Sequence, residues 1–222
     1  MRGAASRVRA KVCGVMSPGD AGAVASAGAD YLGVILSPGF SRSVALAHAG
    51  GIYAAALAKR VGVFVDADPR HVAAVARELE LDIVQLSGRE PPGAVTEVAA
   101  AGPWRVWKTV HAKTGVPMAE SAGPYAGAAH GILLDAWDPS LPGGTGRTFA
   151  WAGVGREVRD AIGSATFIAA GGMTPENAGA AVAALSPDVL DVSSGVESTP
   201  GAKDPERIRA FVEAVRRAGA GG

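Results

Sequence analysis

Eight short apolar runs recur along the chain, and each is followed by a stretch with helical spacing or by a turn-rich loop. They run from Val8 to Cys13, Tyr31 to Leu36, Val61 to Asp66, Ile83 to Leu86, Arg105 to Val110, Ile132 to Asp135, Thr166 to Ala169 and Val189 to Val192. Between them lie alanine-rich segments such as SPGDAGAVASAGA, DPRHVAAVARELE and TPENAGAAVAALS, opened by Ser, Asp or Thr before proline, as helix starts often are. Runs that are continuously apolar, not alternating, predict strands buried on both faces, which parallel strands covered by helices require. Eight such units predict a (β/α)8 TIM barrel of the α/β class, formed by residues 1–222 as a single domain. An open doubly wound sheet usually has fewer strands and a glycine-rich dinucleotide turn after the first, where this chain reads CGVMSPGD.

Apolar residues make up 48% of the 222 and charged residues 19%, enough to build a sizeable core and unlike a disordered chain. Lys plus Arg equal Asp plus Glu at 21 each, so no net field draws in nucleic acid or an anionic membrane, and neither is expected as a partner. A lone cysteine makes no intramolecular disulfide, and MRGAASRVRAKVCG has no long apolar stretch, so a cytoplasmic location is expected. His48, His71, His111 and His130 are scattered without metal-ligand spacing, so no metal is expected. No adhesive surface is marked in the sequence, and a monomer is expected ahead of a homodimer.

In a barrel of this kind the loops after the strands carry the chemistry. Gly171 and Gly172 end the seventh run, and Thr174-Pro175-Glu176 looks like a helix start offering backbone N–H groups to an anion. Ser193, Ser194 and Gly195 follow the eighth, and loops seven and eight form the usual phosphate site of this fold. Cys13 ends the first run; it reads either as a small buried hydrophobe or as a thiol at the barrel mouth able to act as a base. Asp135 ends GILLD, where a carboxylate is unfavourable unless it is paired or used. The long segment from Ala136 to Arg147, rich in Pro and Gly and carrying Trp137, reads as a lid or as an ordinary loop. An acid and a base beside a phosphate site point to an isomerase or lyase of sugar phosphates.

The strings KVCG, GADYLGVIL, SRSV, VGVFVD, VQLSG, LLD, PGGTGRTFAW, AGGMTPENA and DVSSGVES occur in the order seen in one known family. On these motifs the chain resembles phosphoribosylanthranilate isomerase of tryptophan biosynthesis over nearly its whole length. The resemblance implies an Amadori rearrangement of a small phosphorylated substrate without cofactor or metal. By the same likeness Asp135 is the proton donor to the sugar ring oxygen and Cys13 the base at C2. Arg42 pairs with the anthranilate carboxylate, Gln85 and Asp191 contact substrate, and Gly171, Gly172, Ser194 and Gly195 cradle the phosphate. One departure stands out: Ser87 occupies the place where the family usually has histidine, removing a group that can carry positive charge. Alternatives are a diverged isomerase with a histidine-pathway-like or secondary substrate, and a barrel that binds phosphosugars without catalysis.

Overall fold

The computed structural model describes residues 7–111, 116–135, 151 and 153–220. Eight parallel strands close on themselves in sequence order. They are β1 (Arg9–Val12), β2 (Tyr31–Ile35), β3 (Lys59–Phe64), β4 (Ile83–Leu86), β5 (Arg105–His111), β6 (Gly131–Asp135), β7 (Thr166–Ala170) and β8 (Val189–Val192). The helices between and after them are α1 (Pro18–Ala27), α2 (Leu46–Ala54), α3 (Pro69–Glu78), α4 (Pro92–Ala100), α5 (Met118–Ser121), α6 (Val154–Ile162), α7 (Ala178–Leu185) and α8 (Pro205–Gly219). A short antiparallel pair, β9 (Glu197–Thr199) and β10 (Ala202–Lys203), stands on the loop after β8. The expected (β/α)8 barrel is therefore the fold of the chain.

Local chemistry starts the helices. Ser17 accepts from the Asp20 N–H ahead of α1, and Asp68 and Asp204 each accept from two N–H groups ahead of α3 and α8, with proline as the first residue each time. At the N-terminal face, Asp30, Asp82 and Asp188 sit immediately before β2, β4 and β8 and accept from the backbone N–H of Ala10, Arg60 and Phe167 on the preceding strands. These carboxylates tie neighbouring strands together where no chemistry is expected.

One expectation is corrected. The seventh helix begins at Ala178, not at Thr174, because Asn177 Oδ1 accepts from the Thr174 N–H at 2.8 Å and Asn177 Nδ2 donates to the Gly172 carbonyl at 2.9 Å. That side-chain turn holds 172–177 out of the helix.

Two cores result. A large one fills the space between sheet and helices, and a smaller one fills the barrel interior with Tyr31, Val61, Ile83, Trp107, Leu133, Ile168, Ala170 and Val189. Tyr31 and Trp107 pack edge to face with ring centroids 5.1 Å apart, closing the floor of the barrel.

Candidate active site

The period of two along each strand links that floor to a cavity at the C-terminal ends. Two residues beyond floor positions Ile83, Trp107 and Val189 come Gln85, Thr109 and Asp191, and two further come Ser87, His111 and Ser193. On β4, β5 and β8 the inward face thus changes from apolar to polar, while on β3 it stays apolar through Val63 and Val65. The resulting cavity, of about 460 Å³, is lined among others by Cys13, Arg42, Gln85, Ser87, Asp135, Gly171, Gly172, Asp191 and Ser194. Its size is in the ordinary range for a small-molecule site. Of the sequence-derived candidates, Gly195 is not among the lining residues.

Cys13 follows β1 directly and is 8% exposed. Two residues before it on the same face is Lys11, fully buried, whose Nζ lies 2.7 Å from Asp191 Oδ2. Strand register makes this pair: Lys11 stands opposite Asp191 in the β1–β8 ladder. Burial pushes the Cys13 thiol up, and the nearby Lys11 ammonium is the largest influence pulling it back. Burial also works against the Lys11 charge, but Asp191 and Cys13 outweigh it, so Lys11 is held firmly protonated. Asp135, the last residue of β6, lines the same cavity.

Arg42, in the loop between β2 and α2, meets Glu197 side-on, donating from Nε to Oε1 at 2.6 Å and from Nη2 to Oε2 at 2.7 Å. Lys203 also donates to Glu197 Oε1, at 2.9 Å, and to the Ser193 carbonyl. Two cations on one carboxylate leave a net positive charge beside the cavity, although the chain as a whole is neutral. The Arg42 guanidinium holds the Glu197 carboxyl far down, at about 2, helped by Lys203 and the Gly201 N–H. Side-on pairing leaves the end-on edge of the guanidinium for a second planar anion.

On the β4–β5 wall, Gln85 Nε2 donates to Ser87 Oγ at 3.0 Å, and Ser87 Oγ lies 2.8 Å from Thr109 Oγ1. The loop carrying Ser87 is pinned from behind by a buried pair, Lys108 Nζ to Glu90 Oε2 at 3.0 Å, while Glu90 accepts from the N–H groups of Asp66 and Gly88. Among the described residues, Gln85 Oε1 and Asp191 Oδ1 are buried oxygens with no hydrogen-bond partner. Both belong to residues of the cavity wall, although these two oxygens themselves are buried.

Gly171 and Gly172 both take positive φ, 91° and 62°, a backbone that strains other residues. Gly195 is required on steric grounds, since a Cβ there would lie 1.9 Å from the Met173 carbonyl oxygen, so only glycine lets loop eight close against loop seven. The expected lid, Ala136 to Arg147 with Trp137, lies outside the described residues.

Lys11, Thr109, Glu197 and Lys203 stand beside the candidate residues with no role assigned from the sequence. Lys11 leaves a readable signal, a lysine inside an apolar run on the same strand face as Cys13. Glu197 and Lys203 lie in the strings DVSSGVES and PGAKD that carry the resemblance, but their partners are brought in only by the fold. No helix among the described residues is long and apolar enough to cross a membrane.

A family model described as N-(5'-phosphoribosyl)anthranilate (PRA) isomerase matches residues 10–214. A relative named N-(5'-phosphoribosyl)anthranilate isomerase, from Chromohalobacter salexigens, is 39% identical over 94% of this chain and 94% of its own length. Among solved structures, phosphoribosyl anthranilate isomerase from Thermotoga maritima superposes with a TM-score of 0.85 at 33% identity, covering 95% of this chain and 99% of that one. A structure of the same enzyme type in complex with reduced 1-(o-carboxyphenylamino)-1-deoxyribulose 5-phosphate gives 0.81 at 32% identity, with coverage of 95% and 99%.

Proposed function

The chain belongs to the phosphoribosylanthranilate isomerase family, and we propose that it converts N-(5-phosphoribosyl)anthranilate into 1-(2-carboxyphenylamino)-1-deoxyribulose 5-phosphate by acid–base catalysis. The observation that carries this reading is that Cys13, after β1, and Asp135, at the end of β6, line one cavity that the phosphate-suited loops also reach.

In the first step Asp135 gives its proton to the ring oxygen as the C1–O bond breaks, and the anilino nitrogen supplies the electrons for a C1=N iminium. The cation acidifies C2, and the Cys13 thiolate removes the proton there. The C2–H electrons become a C1=C2 bond and the iminium pair returns to nitrogen. The resulting enolamine tautomerises to the ketone. General acid–base steps of this type each contribute roughly 10²- to 10⁴-fold.

Binding follows from the charges around the cavity. Arg42 offers its end-on edge to the anthranilate carboxylate while Glu197 holds the other edge. Gln85 and Asp191, on the cavity wall, contact the substrate. Gly171, Gly172 and Ser194 take the phosphate, with Gly195 letting their loops approach. The enzyme acts as a cytoplasmic monomer in this reading. Its exposed large apolar side chains among the described residues, Met16, Phe40 and Leu57, lie in separate loops or on no shared element.

The test is a fluorescence assay following loss of phosphoribosylanthranilate, with the histidine-pathway aminoaldose as a second substrate. Turnover of the first alone supports the reading. Turnover of the second at equal efficiency points to a dual-specificity enzyme, and turnover of neither overturns the assignment.

A further inference from the structure

Lys11 has no aqueous surface at all, a strongly unfavourable position for an ammonium unless it is paired. Asp191 supplies one partner at 2.7 Å. The other neighbour is the sulfur of Cys13. Across from both, on β2, Gly33 has no side chain, and a Cβ there would lie 2.9 Å from Cys13 Sγ and 3.3 Å from Lys11 Nζ. Sulfur and ammonium therefore converge on the same patch of bare backbone. Any larger residue at position 33 would push into the space they share.

We propose that Lys11 is a positioning residue for Cys13: its ammonium, oriented by Asp191 and keeping its own proton throughout, faces the sulfur and stabilises the thiolate form. This rests on reading Cys13 as the base. The thiol proton leaves to solvent through the cavity, and the thiolate lone pair then takes the C2 proton. Lys11 gains and loses nothing; it supplies a fixed positive charge where negative charge must form.

The remaining charged and titratable groups around the sulfur do not replace it. Arg42 and Lys203 reach it from the loops after β2 and β8, where the Glu197 carboxylate they share offsets part of their charge, and Lys11 acts on the sulfur more strongly than Lys203. Tyr53 comes from α2 and donates its hydroxyl to the Val61 carbonyl, and Asp191 opposes ionisation of the thiol. Asp135, from β6, acts on Asp191 in the same sense, as one carboxylate on another.

Because Cys13 is the only cysteine, uptake of iodoacetamide followed by intact mass reports this thiol alone. In Lys11→Gln the pH midpoint of alkylation is expected to rise by about one unit or more. The kcat should drop about 100-fold, a larger effect than any rise in KM, since Lys11 faces the sulfur but also holds Asp191 on the cavity wall. Lys11→Arg, which restores a cation, should recover most of the midpoint shift. A folded Lys11→Gln protein whose midpoint stays within about 0.3 unit of the unmodified one overturns the proposal.

Should the variant not fold, the same question is put to proteins that keep Lys11. With ¹³C-labelled lysine, the Lys11 side-chain resonance should move as Cys13 ionises and stay still over that range in Cys13→Ser. A resonance indifferent to Cys13 overturns the proposal equally. Alkylation needs no substrate, so a shifted midpoint in an enzyme that turns over nothing would sink the isomerase reading and leave the Lys11–Cys13 relation standing.

Discussion

Arg42 and Glu197 stand 155 positions apart in the chain and meet side-on, with both donor–acceptor distances below 2.8 Å. The pair joins the loop after β2 to the loop after β8 beside the cavity that Arg42 lines. In the proposed binding mode Arg42 meets the substrate carboxylate while Glu197 holds its other edge.

Glu197→Gln should therefore weaken substrate binding more than chemistry. Loss of a charge-assisted hydrogen-bond pair amounts to about 1.5–3 kcal/mol, so KM should rise roughly 10- to 100-fold while kcat stays within about threefold. Steady-state kinetics decides it. A fall in kcat at unchanged KM would mean that Arg42 does not bind the ground state.

The same pair sets a pH dependence of stability. The Glu197 carboxyl lies at about 2 in the folded chain, well below its ordinary value of 4.5. The unfolded chain therefore binds this proton first as pH falls, and the contribution is complete above 4.5 and lost between 4.5 and about 2. Urea unfolding across that range should show a steeper decline for the native protein than for Glu197→Gln. Equal slopes would contradict the sign.

Gly195→Ala tests the junction of the phosphate loops. Its Cβ would sit 1.9 Å from the Met173 carbonyl, so backbone must move. Affinity for the phosphorylated product should drop at least about tenfold by calorimetry, with a stability loss of about 1–3 kcal/mol. Unchanged affinity would separate loop eight from phosphate binding.

Gly33→Ala carries the crowding to the sulfur itself, at 2.9 Å. The kcat should fall about tenfold or more with KM nearly unchanged, because the thiol and not the substrate is displaced. Thermal melting alongside the kinetics separates this from loss of fold, and a kcat equal to that of the native enzyme would show that the sulfur has room to spare.

The barrel is legible in the sequence because each strand is a compact apolar run and each of several helix starts carries its own cap. Boundaries differ where polar residues join a strand: β3 begins at Lys59, two residues before the apolar run, and β5 continues to His111. Asp191 enters through the family resemblance, and Cys13 and Asp135 stand out as reactive or polar residues at the ends of apolar runs. Their partners do not. Lys11 meets Asp191 only because β8 closes against β1, and Arg42 meets Glu197 only because two mouth loops are neighbours in space. The start of α7 departs from the sequence pattern because Asn177, three residues past Thr174, turns back to bond the backbone and takes the place of a first helical turn.

The most direct test of the acid–base account compares the native enzyme with Cys13→Ser and Asp135→Asn in the fluorescence assay, with product affinity measured for all three. The account predicts kcat reduced at least about 100-fold in each variant while product affinity stays within about threefold. Either variant turning over at close to the native rate would contradict it.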